Sequence, residues 1–494
     1  MNDILTQCVR TSPDATALVE TGGREWTYTE LDRMVERTAG QLSALEIGAG
    51  DHLGLLLETR PAAVCIIHAA MRLGCVLVPL NTRLTPEELE PQVERADLAA
   101  LVCEENTEST AVAVETAEMP IASVDGAERA GVTELGSVES VEFKSTSWAA
   151  GDEMLMLYTS GTTGAPKLVV LTLENLRSSA VASAFRLGVS PEDRWLNPLS
   201  VYHMGGFAPV FRAALYGTTV ILHSGSFDAE TTLRALSDYD CTGISLVPTM
   251  LRRLLDAGTL SDSLRFVLLG GAPASEELIE RCAHRNIPVN PTYGMTETAS
   301  QVATARPDEA FEHTGTVGRP LFGTDLTVLD GNGNLLEAGE TGELVVSGPT
   351  VFKEYYGDSD TTAAAFSEHG FHTGDIGYRD EGNRVWVTGR LDEQISTGGE
   401  LVGPSEVAAA IREHSAVQDA AVVGLSDPEW GERVGALVVT EENLAAEALE
   451  NHCREYLAGF KIPRTIAFAD SLPRTASGTI EREAVRERLR KRNG

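Results

Sequence analysis

Residues 153–185 read "EMLMLYTSGTTGAPKLVVLTLENLRSSAVASAF". The stretch opens as an apolar run of strand length, crosses a loop of Ser, Thr and Gly, resumes as a strand and ends as a helix. Glycines let the backbone approach a ligand closely, successive N–H groups make a nest for anions, and hydroxyls with a terminal ammonium add donors. Such a loop is built for phosphate. It is not a Walker loop, in which G-x-x-x-x-G-K-[ST] runs straight into a helix, because Pro166 intervenes. A Ser/Thr/Gly turn standing alone is more often an ordinary surface loop, so the rest of the chain must decide. Lys167, which closes the loop, is one of only five lysines beside 34 arginines.

On either side the chain alternates. "HLGLLLE", "CVLVPLN", "LAALVCE", "TVILHS", "TGISLVP" and "LRFVLLGG" are strand-sized apolar runs separated by helix-length amphipathic segments such as "SEELIERCAHR". Alternating strand and helix predicts α/β with largely parallel sheets. In "TYTELDRMVERTAGQLSAL", a Thr29 cap with Asp32 three residues later predicts a helix whose apolar face is Leu31, Met34, Val35, Leu42 and Leu45. After about residue 310, Gly-rich turns and short alternating strands predict a small barrel-like β subdomain. Beyond "GRLDEQ" the pattern becomes that of a compact α+β unit. The expected domains are therefore 1–390 and 391–494, joined by a hinge.

Composition excludes several classes. The 494 residues carry 73 acidic and 39 basic side chains, a formal net charge of -34, which repels nucleic acid and anionic membranes. Acid spread along the chain, with Arg in place of Lys, points to a halophilic source, where salt shortens the range of self-repulsion. No basic start with an apolar run and no span-length apolar segment is present, so the expectation is a cytoplasmic protein with no membrane span. The seven cysteines lack C-x-x-C spacing and are odd in number, which predicts reduced, buried residues and neither a disulfide framework nor a zinc site. The sequence is compatible with a homo-oligomer.

The motifs "YTSGTTGAPK", "YHMGG", "LLGGAP", "YGMTETASQ", "HTGDIG", "GRLDEQI", "STGGELVGPSEV" and "LPRTASGTI" follow in the order seen in the adenylate-forming superfamily of acyl-CoA synthetases, which the chain resembles over nearly its whole length. Within it, "YGMTETASQ", "HMGGFAPVFRAALYG" and a short chain resemble the o-succinylbenzoate-CoA ligase subfamily of menaquinone biosynthesis. The resemblance implies a two-step reaction. A carboxylate attacks the α-phosphorus of ATP to give an acyl-adenylate, and CoA then displaces AMP. ATP, Mg²⁺ and CoA are the implied cofactor and co-substrates, and a small carboxylic acid is the partner. It also implies roles for residues. Thr159, Ser160, Gly161, Thr162, Thr163, Gly164 and Lys167 would form the loop over the β- and γ-phosphates. Gly271, Ala272 and Pro273 would wall the adenine, and Tyr293, followed by Gly294 and Met295, would stack on it. Thr296 would reach the α-phosphate and Glu297 would hold Mg²⁺ through an oxygen, as a hard cation prefers. Asp375, helped by Arg390, would bind ribose; Asp392 would be the hinge; and Gly398, Gly399 and Glu400 would line the pantetheine path.

For the acyl group, His203 resembles the family's gate at the reacting carboxylate, with Gly206 and Phe207 beside it. Arg212 stands in the otherwise apolar "FAPVFRAALYG", where a charge is costly unless paired. It either answers a buried acid or meets a carboxylate of the substrate, with Ser300 and Gln301 as further candidates at that end. An amino-acid-activating domain would carry an Asp near "YHMGG", and none stands there. Another aromatic or medium-chain acyl-CoA synthetase shares every nucleotide motif and is the alternative. A third reading is a nucleotide-binding relative with impaired adenylation, because Thr479 occupies the place of the family's catalytic lysine in "LPRTASGTI". Lys461 in "GFKIPR" and Arg474, five residues upstream of Thr479, are the cations expected to lend charge in its place.

Overall fold

The computed structural model describes residues 3–114, 119–159, 166–223, 225–397, 400–428, 430–440, 444–474 and 480–491. The chain divides into two compact units, one of residues 1–325 and 346–371, the other of residues 326–345 and 372–494. Residue 391, the expected boundary, lies inside the second unit, at the start of the 3-10 turn Leu391–Glu393.

The first unit is built on two large sheets. One has a parallel core in which Val289–Met295, Phe266–Leu269, Gly243–Leu246, Arg194–Asn197 and Thr219–Leu222 lie side by side in that order. The other runs parallel from Glu153–Tyr158 through Val76–Pro79, His52–Leu56 and Ala100–Cys103, and on the opposite side of Glu153–Tyr158 the strand Leu168–Thr172 pairs antiparallel. The central strands are apolar throughout because helices cover both faces of a parallel sheet. "VLVP" and "TVIL" are buried at every position.

The helix expected after Thr29 begins earlier. It spans Tyr28–Ala44, capped by Thr27, whose hydroxyl accepts from Glu30 N–H while the Glu30 carboxylate accepts from Thr27 N–H. Two overlapping capping patterns compete in "TYTELD", and the longer Glu reaches back to the cap where Asp32 does not. Asp32 instead pairs with buried Arg72 at 2.6 Å. The apolar face is otherwise as expected, with Leu31, Val35 and Leu42 buried and Met34 and Leu45 packed against the core. All seven cysteines are buried and unpaired. No described helix is long and apolar enough to cross a membrane.

The second unit holds two smaller sheets. The strands Asp325–Leu329, Gly342–Ser347, Gly370–Arg379 and Val385–Arg390 belong to the half-barrel expected from the Gly-rich turns. The other pairs the long hairpin Val417–Asp427 and Gly431–Thr440 with Thr465–Phe468, under the helices Pro404–Arg412, Ala446–Tyr456 and Arg482–Lys491. Val407, Ile411, Val422, Ala436 and Leu449 make its core.

Candidate active site

In the first unit the expected nucleotide residues gather at the carboxyl ends of neighbouring parallel strands, where open α/β sheets bind ligands. Phe266–Leu269 leads to Gly271, Arg194–Asn197 leads to His203, and Val289–Met295 carries Tyr293 and leads into Thr296 and Glu297. Gly271 has φ +77° and a Cβ there would stand 3.3 Å from Val247, so the turn keeps its backbone bare. At Gly294 a Cβ would fall 1.7 Å from the carbonyl oxygen of Ser300, which fixes glycine where the two arms of the hairpin press together. The hairpin then turns through Ala299 (φ +50°) and Ser300 (φ +113°), successive non-glycine residues at positive φ.

The phosphate-loop candidate springs from the other sheet. Tyr158 pairs with Leu168, and Thr159 N–H donates to Lys167 C=O at 2.9 Å, so the loop is the tip of an antiparallel hairpin. Ser160, Gly161, Thr162, Thr163 and Gly164 lie outside the described residues. Lys167 Nζ sits 4.7 Å from the centre of the Tyr355 ring, and Tyr355 O–H donates to Glu297 Oε1 at 3.1 Å. The ammonium of one motif and the carboxylate of another thus share one aromatic support. Sequence reasoning missed Tyr355. No motif marks it, and it arrives only because Glu354–Tyr355 pairs with Val169 and Val170.

His203 occupies the N-cap position of the helix Met204–Tyr216 without a side-chain capping bond, is exposed, and meets the Tyr202 ring edge-on. Burial first, and Arg83 second, hold its pKa below the usual imidazole value. The ring is therefore neutral at pH 7. Gly206 and Phe207 have packing roles. A Cβ on Gly206 would meet the Ser200 carbonyl oxygen at 2.2 Å, and Phe207 is 1 % exposed and stacked on Phe211. Both shape the wall behind His203.

Arg212 is buried, and its neighbours are neutral. Its Nη1 donates to Gln301 Oε1 at 3.0 Å and its Nη2 to Ser179 Oγ at 3.1 Å. Among the described residues no Asp or Glu lies within ion-pair distance of it. Burial lowers its pKa. The internal-acid alternative left open by the sequence is therefore not realised among the described residues, and of the two further candidates it is Gln301 that hydrogen-bonds Arg212.

The second unit assembles its own cluster. Asp375 and Arg390 are register partners on adjacent strands, their side chains 2.9 Å apart, and Arg390 Nε donates to Asp392 at 3.0 Å. Burial works to lower the Arg390 pKa, but Asp375 and Asp392 prevail and raise it. Glu393 pairs with Arg482. Lys461 is bound to Glu406 and Arg474 to Asp419, the latter at 2.7 Å. Glu400 is exposed on the strand Glu400–Val402, while Gly398, Gly399 and Thr479 lie outside the described residues.

The "AMP-binding enzyme" family model matches residues 5–356 and the "AMP-binding enzyme C-terminal domain" model matches 406–479. The chain belongs to the AMP-binding enzyme family. It is 37 % identical over 484 residues to the 2-succinylbenzoate–CoA ligase of Bacillus licheniformis, covering 97 % of this chain and 98 % of that one. It is similar to the o-succinylbenzoate CoA synthetase of Bacillus subtilis solved with the acyl-adenylate intermediate OSB-AMP (TM-score 0.91, 34 % identity, 98 % of each chain). The same Bacillus subtilis enzyme solved with ATP and a magnesium ion gives a TM-score of 0.89 at 33 % identity, covering 99 % of each chain.

Proposed function

We propose that the chain is an AMP-forming acid–thiol ligase that converts o-succinylbenzoate to its CoA thioester in the cytoplasm. The observation that carries the choice of acid is Arg212, a buried cation with neutral partners beside the nucleotide hairpin. A buried charge without a counter-ion is expensive, and a substrate anion supplies the missing partner. o-Succinylbenzoate has two carboxylates, one to be activated and one to be recognised. A monocarboxylic acid would leave Arg212 unanswered.

The residues then take these roles. The neutral ring of His203 orients the reacting carboxylate without drawing its charge. Lys167 follows the leaving pyrophosphate as a compact ammonium on a hairpin tip, held meanwhile over Tyr355. Thr296 donates to the α-phosphate. Glu297, with Tyr355 fixing one oxygen, fits Mg²⁺, which needs only one or two protein carboxylates beside phosphate and water; when bound it neutralises charge on the phosphates. Asp375 accepts from the ribose hydroxyls, with Arg390 holding its carboxylate in place. Asp392 is the hinge, and the segment around Glu400 lines the path of the CoA thiol in the second step.

The test is direct. The protein is incubated with ATP, Mg²⁺, CoA and a panel of aromatic and aliphatic acids, and thioester is detected by mass. o-Succinylbenzoyl-CoA should dominate; benzoate or hexanoate outperforming the diacid would move the chain to another acyl-CoA synthetase class.

A further inference from the structure

We infer that Ser179 is a positioning residue for acid selectivity, its single hydroxyl locking the Arg212 guanidinium to the turn that carries Ser300. The inference rests on the reading of Arg212 as the group that meets a substrate carboxylate. Ser179 lies on the helix Leu173–Leu187 and is 1 % exposed. Its Oγ donates to Ala299 C=O at 2.6 Å and accepts from Arg212 Nη2 at 3.1 Å. Both directions are forced. A carbonyl oxygen only accepts and a guanidinium only donates, so the one hydroxyl proton goes to Ala299 and a lone pair faces Arg212.

The turn needs that bond. Ala299 and Ser300 both have positive φ, and Ser300 at +113° lies where side-chain-bearing residues rarely go. The backbone stays there because neighbours hold it, and Ser179 holds the Ala299 carbonyl. On its other side Arg212 is fixed by Gln301, whose Nε2 donates to Thr304 Oγ1 at 2.7 Å, which in turn pairs with Thr292 Oγ1 at 2.8 Å. Thr292 directly precedes Tyr293. Arg212 is thereby tied to both arms of the hairpin bearing the nucleotide residues, through groups that carry no charge. Neutral partners aim the cation without cancelling it, so its charge is kept for an incoming anion. An Asp or Glu at either place would neutralise it.

The experiment compares o-succinylbenzoate with benzoylpropionate, the same skeleton without the ring carboxylate, by kcat/KM in full-length wild type, Ser179→Ala, Ser179→Thr and Gln301→Glu. Ser179→Ala should lower kcat/KM for the diacid about tenfold more than for benzoylpropionate, mainly through KM, the loss expected for one hydrogen bond to a buried charge. Ser179→Thr, which keeps the hydroxyl, should recover most of it. Gln301→Glu supplies an internal carboxylate to Arg212 and should erode the same selectivity with the serine intact; it serves as the test if Ser179→Ala does not fold. Equal losses on both acids, or no loss, in whichever variant folds would make Ser179 merely structural and overturn the inference. Wild type that does not prefer the diacid would overturn the functional reading itself, and that is read before any variant.

Discussion

Replacing Tyr355 by Phe isolates one bond in the candidate site. The ring stays against Phe352, at 4.6 Å between centroids, and under the Lys167 ammonium, while the O–H to Glu297 is lost. A hydrogen bond to a charged acceptor contributes about 1.5–3 kcal/mol net. Glu297 is only half-buried, so the lower end applies, about 1.5 kcal/mol or roughly tenfold. If Glu297 holds Mg²⁺ on the phosphates, that loss falls on adenylation and raises the Mg²⁺ concentration needed for half-maximal rate. ATP–pyrophosphate exchange reads the first step; mixing preformed acyl-adenylate with CoA reads the second. Tyr355→Phe should slow exchange about tenfold and leave thiolysis near wild type. Exchange within about twofold of wild type, or an equal slowing of both steps, would refute a role for Tyr355 in holding the metal ligand. Tyr355→Ala would not serve, because loss of a buried ring costs about 3–5 kcal/mol of stability by itself.

His68 is buried and its Nδ1 has no hydrogen-bond partner among the described residues, and burial holds its pKa down at about 4, Asp3 opposing the effect and Arg72 adding to it. The unfolded chain therefore takes up its proton first, so stability should fall as pH drops from about 6.5 toward 4, by up to about 1.4 kcal/mol per pH unit; His68→Leu should flatten that slope in urea melts. With net charge -34, melting temperature and activity should rise from about 0.1 M to about 1 M KCl, and an unchanged melting temperature would show the acidity is incidental. Thr479→Lys should accelerate pyrophosphate exchange by roughly 10² and leave thiolysis nearly unchanged, judged by the usual effect of one preorganised donor. Lys461→Ala or Arg474→Ala should slow exchange in the wild-type background; if neither does, no compensation by these cations exists.

What could be read from sequence depended on whether the information was local. Strand and helix alternation follows from side-chain periodicity, so both large sheets and the Gly-rich half-barrel were legible. The helix start was misplaced by two residues because Thr27-x-x-Glu30 and Thr29-x-x-Asp32 both fit a cap, and only side-chain reach separates them. Arg212 was visible as a charge in an apolar run, but its partners were not. Gln301 and Ser179 lie 89 and 33 residues away. Tyr355 carries no local signal and reaches Glu297 only through sheet pairing with the strand after Lys167. Ser179, in an ordinary amphipathic helix, looks like any small buried residue until its hydroxyl is seen between a carbonyl and a guanidinium.

The small unit shows how a missing lysine could be tolerated. The two candidate replacements are already engaged, Lys461 with Glu406 and Arg474 with Asp419. Their engagement does not disqualify them. Glu406 is about half exposed and Arg474 and Asp419 about a third, and ion pairs in such settings contribute only about 0–1 kcal/mol because water and salt screen them. A cation that leaves such a pair for a developing phosphate charge in a site closed to water exchanges a weak partner for a strong one. The halves of each pair also differ in consequence. Removing Glu406 takes away the ion-pair partner of Lys461, whereas removing the cation deletes it, so Glu406→Gln should not slow adenylation if Lys461 is the substitute, while Lys461→Ala should. A merely structural bridge would lose the same stability and the same rate from either side. The direction of the Glu406→Gln effect therefore separates a reserve charge from a surface tie, without requiring Thr479 itself to be altered.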